Sequence, residues 1–228
     1  MGNPEQTKSL ERMDDFFNNR AEIYDNHMLL EMKLDVFYEE IANLIQPVRP
    51  DFRLLDLGCG TGLELIRLFE KYPDMRVTGI DLSIEMLKKL RLRFPGKSVD
   101  LICGSYFDVN FGCGFDIVLS TYSLHHFSED AKRGLYRKIH GALNLGGIFL
   151  FGDYIVFSEK YQDKLIAENT RLRQENGILD GEFYHFDIPF AIKNEIKLMK
   201  EAGFNFAGAV RQWKNVGVIV ASDGIHEL

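Results

Sequence analysis

The sequence has little cysteine and little proline, and it has no long apolar run. Three of its 228 residues are cysteine and six are proline. Cys59, Cys103 and Cys113 are odd in number and show no metal-ligand spacing, which argues against a disulfide framework. The sequence shows neither a signal peptide nor an apolar stretch long enough to span a membrane. We therefore expect a reduced, cytoplasmic protein without a membrane partner.

The chain also lacks an excess of positive charge. Its 27 lysines and arginines stand against 34 acidic residues, so the formal net charge is −7 at pH 7. Because a nucleic-acid-binding surface needs basic side chains to neutralise phosphates, we do not expect a nucleic-acid partner. The length suits one α/β domain with a sizeable core and a small appended cap.

What the chain does contain is a glycine-rich turn between a predicted strand and a predicted helix. Residues 54–65 read LLDLGCGTGLEL, in which Gly58, Gly60 and Gly62 follow a short apolar run. About twenty residues later, the run VTGID ends a second predicted strand at Asp81. Strand, glycine turn and helix in this order are typical of the start of a doubly wound nucleotide-binding fold. An acidic side chain at Asp81 can accept both hydroxyls of a ribose.

The residue before the glycines indicates which ligand the turn receives. A dinucleotide fold uses G-x-G-x-x-G with a pyrophosphate at the helix N-terminus, whereas these glycines run G-x-G-x-G after Asp56. An aspartate there would repel a pyrophosphate and suits a ligand with an ammonium group and no phosphate. S-adenosylmethionine has that ammonium and a ribose for Asp81. The stretch resembles motif I of the class I S-adenosylmethionine-dependent methyltransferases, usually close to LDLGCGTG. A glycine turn of another Rossmann-like protein is the alternative.

Predicted strands and helices alternate from this turn onwards. We predict strands at 53–57, 76–81, 100–103, 115–120 and 147–152, and helices at 62–71, 84–93 and 131–143. Further helices at 158–175 and 189–202 precede two strands, 204–213 and 216–222. Alternation favours a parallel sheet with helices on both faces. The resemblance implies an α/β, Rossmann-like, doubly wound, seven-stranded sheet, mostly parallel with a C-terminal antiparallel strand pair, plus a helical cap.

The same pattern suggests how the chain is divided. Residues 1–50 read as an N-terminal helical cap, in which residues 8–47 are amphipathic and helical. Residues 51–228 read as the methyltransferase domain, with a cap insertion at about 155–190. By the resemblance, both cap segments close over the ligand.

The resemblance also implies a set of cofactor contacts. Arg20 and Tyr24 lie one helical turn apart, and by resemblance Arg20 would bind the methionine carboxylate. Ser105 stands where the family usually has an acidic residue for the adenine amino group, and Tyr106 could compensate by stacking. An ordinary packed helix at Arg20 and a plain loop at Ser105 are the alternatives. The implied cofactor residues are Arg20, Tyr24, Asp56, Gly58, Cys59, Gly60, Gly62, Asp81, Leu82, Met86, Ser105, Tyr106 and Ser120.

Residues just beyond two strand ends suggest an acceptor pocket. Residues 123–126 read SLHH, which resembles the S/A-x-H-H sequence of small-molecule methyltransferases. We predict that the acceptor is surrounded by Tyr122, His125, Asp153 and Tyr154. His125 is the expected proton acceptor if one is needed, with His126 and His185 as alternatives. A histidine that only holds the loop is the competing explanation, and no metal is expected.

Together these features predict a methyltransferase that uses S-adenosylmethionine and a small-molecule acceptor, as a monomer or homodimer. The sulfonium is an activated donor, so in-line geometry and desolvation supply much of the acceleration. The layout most resembles the carboxy-S-adenosylmethionine synthase-like group. Because the stretch 195–200 holds no arginine for an extra carboxylate, we favour ordinary methyl transfer. Such a synthase-like enzyme, a tRNA-modification enzyme and a non-catalytic S-adenosylmethionine-binding protein remain alternatives.

Overall fold

A computed structural model of the protein describes residues 10–47 and 49–224. The chain begins with two helices, α1 (Met13–Asn26) and α2 (Asp35–Leu44), joined by a π-helical turn at His27–Glu31. The helical prediction for residues 8–47 is therefore confirmed between Met13 and Leu44, while described residues at both ends of the range are not helical and residues 8 and 9 lie outside the described residues.

Eight strands and five further helices follow within the described residues. The strands are β1 (Arg53–Leu57), β2 (Arg76–Asp81), β3 (Val99–Cys103), β4 (Phe115–Thr121), β5 (Leu143–Val156), β6 (Phe190–Ala191), β7 (Phe206–Trp213) and β8 (Val216–Ser222). The helices are α3 (Leu63–Lys71), α4 (Ile84–Arg93), α5 (Glu129–Ala142), α6 (Glu159–Glu175) and α7 (Ile192–Glu201).

The strands form one mixed sheet in the order β3-β2-β1-β4-β5-β8-β7. The first five are parallel, and β8 lies antiparallel between β5 and β7. This confirms the predicted seven-stranded sheet with its C-terminal antiparallel pair. Because parallel strands point the same way, their carboxyl ends meet along one edge, where ligands of open α/β sheets bind.

Two details of the sheet differ from the prediction. Strand β5 is longer than the predicted 147–152, because Leu143 already pairs with Phe115 and an irregular register follows before Ile148 pairs with Ile117. A short extra strand, β6, pairs with the end of β5 in parallel. Both additions lie where bulges and brief pairings leave no periodic signal.

Helices pack on both faces of the sheet through buried apolar stripes. In α3, Leu65 and Leu68 are fully buried, and in α5 the same holds for Leu135 and Ile139. Ser83 caps α4 as predicted, since its hydroxyl accepts a hydrogen bond from the backbone N–H of Met86. Within residues 10–47 and 49–224, no helix combines the length and apolar composition that a bilayer span requires.

The cap segments meet above the carboxyl edge of the sheet. The backbone N–H of Met13 donates to the carbonyl of Phe183 at 3.1 Å, and that of His185 donates to Glu11 at 2.9 Å. Helix α1 also reaches α4, since Asn18 accepts a 2.7 Å hydrogen bond from the Ser83 hydroxyl. The N-terminal helices and the segment before β6 therefore cover the same edge.

Candidate active site at the carboxyl edge of the sheet

Two cavities lie side by side under the cap. The glycine-turn cavity borders the turn after β1 and includes Gly58, Gly60, Asp81, Leu82, Ser105 and Tyr106 in its lining. The histidine cavity lies beyond the ends of β4 and β5, has a volume of about 650 Å³, and includes Arg20, His125, Tyr154 and Asp187. Four side chains line both cavities and form the wall between them: Phe17, Tyr24, Tyr122 and His126.

Asp81 ends β2 at the floor of the glycine-turn cavity. One carboxylate oxygen accepts from the backbone N–H of Gly60 at 2.8 Å, and the other accepts from Ser83 at 2.8 Å. Burial raises the pKa of Asp81, and these backbone donors oppose the rise. A carboxylate has about four acceptor sites, so Asp81 can still accept from two hydroxyls.

Gly58 lies against the loop that follows β4. Its φ is +74°, and a Cβ at this position would lie 2.0 Å from Oγ of Ser123. That hydroxyl in turn lies 3.1 Å from the Tyr106 hydroxyl. Only glycine provides both the left-handed backbone and the space here.

The structure brings eight of the thirteen predicted cofactor residues to the glycine-turn cavity: Tyr24, Gly58, Gly60, Asp81, Leu82, Met86, Ser105 and Tyr106. Arg20 lies elsewhere. It lines the histidine cavity, where its guanidinium sits 3.6 Å above the Phe16 ring and pairs with Glu11 at 3.0 Å.

The other four predicted cofactor residues do not line either cavity. Cys59 packs its thiol against Gly79 in β2, and Gly62 closely approaches Leu90 of α4, so both serve packing. The Ser120 hydroxyl donates to the Leu57 carbonyl at 3.0 Å. The fourth is Asp56, whose side chain is buried. Cofactor contacts by these four residues stay predictions.

Asp56 faces a second buried acid, Glu64 in the first turn of α3. Both Asp56 carboxyl oxygens and one oxygen of Glu64 have no conventional hydrogen-bond partner among the described residues. Burial raises the pKa of both carboxyls, and that of Glu64 reaches about 7. Since two adjacent buried carboxylates repel each other, a proton held by one of them is favoured. Asp56 and Glu64 therefore form a buried acid pair under the glycine turn.

Glu64→Gln should change how stability depends on pH. The raised pKa of Glu64 means that the folded wild type retains a proton that the unfolded chain loses, so wild-type stability falls as pH rises from about 4.5 through about 7. Glutamine donates to Asp56 without titrating. Urea unfolding should therefore show the variant gaining on the order of 2–3 kcal/mol over wild type between pH 5 and pH 8.

Glu70→Gln on the same helix is the matched control, because Glu70 is exposed and pairs with Arg67 at the surface. It should shift stability by less than about 0.5 kcal/mol at both pH values. Equal pH dependence in wild type and Glu64→Gln would contradict the raised pKa of Glu64.

Asp153 organises the turn that carries the two histidines. One of its oxygens accepts from the backbone N–H groups of Leu124 at 2.8 Å and His125 at 3.1 Å. The other accepts from Tyr154 N–H at 2.7 Å and lies 2.5 Å from Nδ1 of His125. Asp153 is 1 % exposed, so these contacts are shielded from water. Its carboxylate fixes the His125 ring and directs Nε2 towards the histidine cavity.

A second carboxylate, Asp187, faces the histidines from the segment before β6. Its Oδ1 lies 3.5 Å from Nε2 of His125 and 3.2 Å from Nδ1 of His126. Burial lowers the pKa of His125, but Asp153 and then Asp187 raise it to a net value of about 9. The pKa of His126 is lowered by burial and by His125. His185, stacked on Phe16, has a pKa lowered to about 4 by burial.

Two tyrosines complete the histidine cavity. Tyr122 follows β4 with a φ of +48°, an uncommon backbone for a bulky residue that is often found at functional sites. Its ring centroid lies 5.0 Å from those of Phe37 and Tyr154. The buried Tyr122 hydroxyl has no hydrogen-bond partner among the described residues. The structure thus brings together all four residues predicted around the acceptor, with Asp153 behind His125.

Sequence reasoning missed several side chains of this region. Ser123 touches Gly58, and Phe17 and Phe183 help to close the glycine-turn cavity. Glu64 and Asp187 complete the acid pair and the histidine cluster. Glu64 follows the glycine turn by two residues, so its acidic character inside an apolar helix face was the available signal. Asp187 carried no comparable signal.

Comparisons with known proteins agree with this geometry. A family model described as a methyltransferase domain matches residues 54–147. The chain is 27% identical to a carboxy-S-adenosyl-L-methionine synthase of Campylobacter lari over 94% of this chain and 96% of the relative. A synthase of the same name from Nautilia profundicola is 24% identical over the same shares.

Solved structures show the same fold. Human N-acetylserotonin methyltransferase in complex with SAM superposes with a TM-score of 0.63 at 18% identity, covering 92% of this chain and 57% of the human chain. The DhpI–SAH complex gives a TM-score of 0.70 at 16% identity, covering 99% of this chain and 100% of that chain. Several other matching structures are also longer proteins, of which this chain spans 58–62%.

The fold is that of class I S-adenosylmethionine-dependent enzymes. It is defined by the glycine turn after β1, the acidic residue at the end of β2 and the order of the strands in the sheet. Together with the methyltransferase domain and the full-length similarity to enzymes named for S-adenosylmethionine chemistry, they support a class I S-adenosylmethionine-dependent methyltransferase. The findings support an enzyme, and the cofactor of that class is S-adenosylmethionine.

Proposed function

We propose that this enzyme transfers a methyl group from S-adenosylmethionine in the glycine-turn cavity to a small molecule in the histidine cavity. The observation that carries the proposal is the shared wall of the two cavities, formed by Phe17, Tyr24, Tyr122 and His126. A sulfonium beside this wall would lie next to the acceptor. In-line attack then forms the bond to the methyl carbon while the carbon–sulfur bond breaks and its electron pair stays on sulfur.

This proposal requires the cap to move when the cofactor enters. The glycine-turn cavity has a free volume of only about 50 Å³, whereas ligand pockets usually measure about 300–1,000 Å³. Met13 and Phe17 of α1, with Phe183 from the opposite segment, close it. These apolar side chains would exclude water once the cofactor is bound. We propose that residues 1–50 and about 155–190 form this cap.

The acceptor contacts in this proposal are Tyr122, His125 and Tyr154. Because its pKa is raised to about 9, His125 carries a proton at neutral pH while Asp187 is beside it. In that state it suits binding an acceptor anion rather than accepting a proton. A small-molecule acceptor, a monomeric or dimeric state and a cytoplasmic location stay predictions.

Synthesis of a carboxylated cofactor is the second candidate function, favoured by the full-length similarity to enzymes of that name. The absence of an arginine at 195–200 does not decide against this second function. In the part of the chain that the structure describes, α7 contributes to neither cavity, and Arg20 is the only lysine or arginine that lines them. Mass spectrometry of the ligand retained by the purified protein distinguishes the two, because a carboxylated cofactor is heavier by one carbon dioxide.

Asp81→Ala tests the proposed cofactor site. Calorimetry should show that wild type binds S-adenosylmethionine and S-adenosylhomocysteine in preference to NAD. The variant should bind S-adenosylmethionine roughly 10- to 150-fold more weakly, because it loses charge-assisted hydrogen bonds worth about 1.5–3 kcal/mol. Asp81→Asn, which keeps one acceptor oxygen, should lie between them.

Asp116→Ala is the matched control, because Asp116 also accepts a backbone N–H, that of Arg53 at 2.9 Å, but near the start of β4, away from both cavities. Its cofactor affinity should equal that of wild type. Unchanged affinity in Asp81→Ala, or preference of wild type for NAD, would refute the proposed cofactor site.

A further inference from the structure

We propose that His125, His126 and Asp187 form a binding site for a divalent transition-metal ion in the histidine cavity. Each residue offers one ligand atom, and these three atoms all lie within 4.8 Å of one another. No metal was expected from the sequence, in which Asp187 lies about sixty residues from the histidines and no spacing pattern connects them. The fold brings the three together.

The distances suit coordination. Oδ1 of Asp187 lies 3.5 Å from Nε2 of His125 and 3.2 Å from Nδ1 of His126. Ligand atoms about 2.0–2.2 Å from a tetrahedral metal are separated from one another by roughly 3.3–3.6 Å. The two ring nitrogens lie within 4.8 Å of each other, so a metal ion between the three atoms requires the histidine rings to move closer together.

The backbone holds the cluster in place. His125 and His126 lie in a short 3-10 turn, Leu124–His126, directly after β4. The backbone N–H of Ile188 donates to the His125 carbonyl at 2.7 Å, which ties the residue next to Asp187 to that turn. Both histidine rings are buried, whereas Asp187 is half exposed. The ligand set is therefore rigid on one side and accessible on the other.

The partner of His125 is an independent indication of a metal ligand. Metal-binding histidines usually donate their second ring N–H to a carboxylate, which fixes the tautomer and the ring orientation. Asp153 stands in this position, 2.5 Å from Nδ1 of His125, so Nε2 can bind the metal once it has released its proton. Asp153 is thus a positioning residue in this proposal.

The ligand types select the metal. Two imidazoles and one carboxylate suit zinc, iron(II), cobalt(II) or nickel(II), whereas magnesium and calcium prefer oxygen ligands. Three protein ligands also leave coordination positions open for a small molecule. The open side faces the histidine cavity, where the unpartnered hydroxyl of Tyr122 is buried.

An acceptor oxygen is the ligand that we infer for the open position, an inference that rests on the proposed methyl transfer although metal binding itself does not. Coordination favours loss of the acceptor proton to water. The resulting oxyanion forms a bond to the methyl carbon as the carbon–sulfur bond breaks. The products are a methyl ether, S-adenosylhomocysteine and the released proton.

Metal titration tests the site without any activity assay. Chelator-treated, desalted full-length protein should bind about one equivalent of cobalt(II), seen as visible d–d absorption, and zinc should displace it. His126→Gln and Asp187→Asn should weaken this binding by more than about 100-fold, and Asp153→Asn by about 10- to 100-fold. Magnesium should give no saturable binding that competes with cobalt.

His140→Gln is the matched control, because His140 pairs with Asp223 at the surface and should not alter metal affinity. Because Asp187 is half exposed, Asp187→Asn should fold, and its circular dichroism and melting curve verify this. Cobalt binding that is absent in folded wild type, or unchanged in both His126→Gln and Asp187→Asn, would overturn the site. Metal binding without methyl transfer to any oxygen acceptor would sustain the site and remove only its catalytic role.

Discussion

Gly58→Ala is expected to weaken S-adenosylmethionine binding by more than about 100-fold, because two separate requirements for glycine meet at this position. The φ of +74° costs an alanine about 1–2 kcal/mol. In addition, the new Cβ would lie 2.0 Å from Oγ and 2.6 Å from Cβ of Ser123. Ser123 would have to move, which breaks its contact with Tyr106 in the cavity lining. Calorimetric titration with S-adenosylmethionine measures the loss.

Gly96→Ala separates backbone strain from steric overlap. Gly96 has nearly the same φ, +78°, but no described atom lies within 4 Å of the position its Cβ would occupy. It should lose about 1–2 kcal/mol of stability and bind the cofactor like wild type. The double variant Gly58→Ala/Ser123→Gly removes the overlapping side chain, so it should recover part of the affinity. If the double variant recovers nothing, or Gly96→Ala binds as poorly as Gly58→Ala, overlap with Ser123 is not the cause.

The glycine turn was predictable because all of its determinants are contiguous. Strand β1, Gly58, Gly60 and the start of α3 follow one another within residues 53–65, and each has a local signature. Asp81 was found because the second strand of this fold ends a fixed distance further along the chain. Hydrogen bonds from Gly60 and Ser83 to its carboxylate now give that position a physical reason.

The orientation of Asp56 could not be predicted in the same way. Its place at the end of a buried strand was correct, but side chains alternate between the two faces of a strand. Which neighbour Asp56 meets depends on how α3 packs, and there Glu64 lies opposite it. The sequence shows that the two acids are close along the chain. Only the packing of α3 shows that their side chains are buried next to each other.

The histidine cluster needed long-range information. His125 lies in the turn after β4, and Asp153 lies in the adjacent strand β5 next to the end of β4, so their proximity followed from the sheet order. Asp187 comes from a segment without periodicity, which is held by backbone hydrogen bonds to His125 and to α1. Such pairing depends on the tertiary fold and leaves no spacing in the sequence. Arg20 was placed on the correct helix face, shared with Tyr24, but beside the histidine cavity.

Asp153→Asn is expected to destabilise the protein by about 3–5 kcal/mol and to reduce turnover much more than cofactor binding. The carboxylate makes four close contacts in a site with 1 % exposure: three with backbone N–H groups and one with Nδ1 of His125. An asparagine offers one oxygen and one NH₂ group. In place of one carboxylate oxygen, the NH₂ group would meet N–H donors that then have no acceptor. Leaving buried donors unpaired costs about 1–3 kcal/mol each, and breaking a buried ion pair costs about 3–5 kcal/mol.

Urea unfolding and steady-state kinetics measure the two effects. Turnover at saturating cofactor should fall at least about 10-fold, since the 3-10 turn that presents His125 and His126 loses its anchor, while Asp81 and the glycine turn keep their own hydrogen bonds. Asp223→Asn is the matched control, because Asp223 also pairs with a histidine, His140 at 2.9 Å, but at an exposed position. Its cost should stay below about 1 kcal/mol. If Asp153→Asn is as mild as Asp223→Asn in both measurements, Asp153 neither anchors the turn nor positions His125, and the acceptor site must be assigned to other residues.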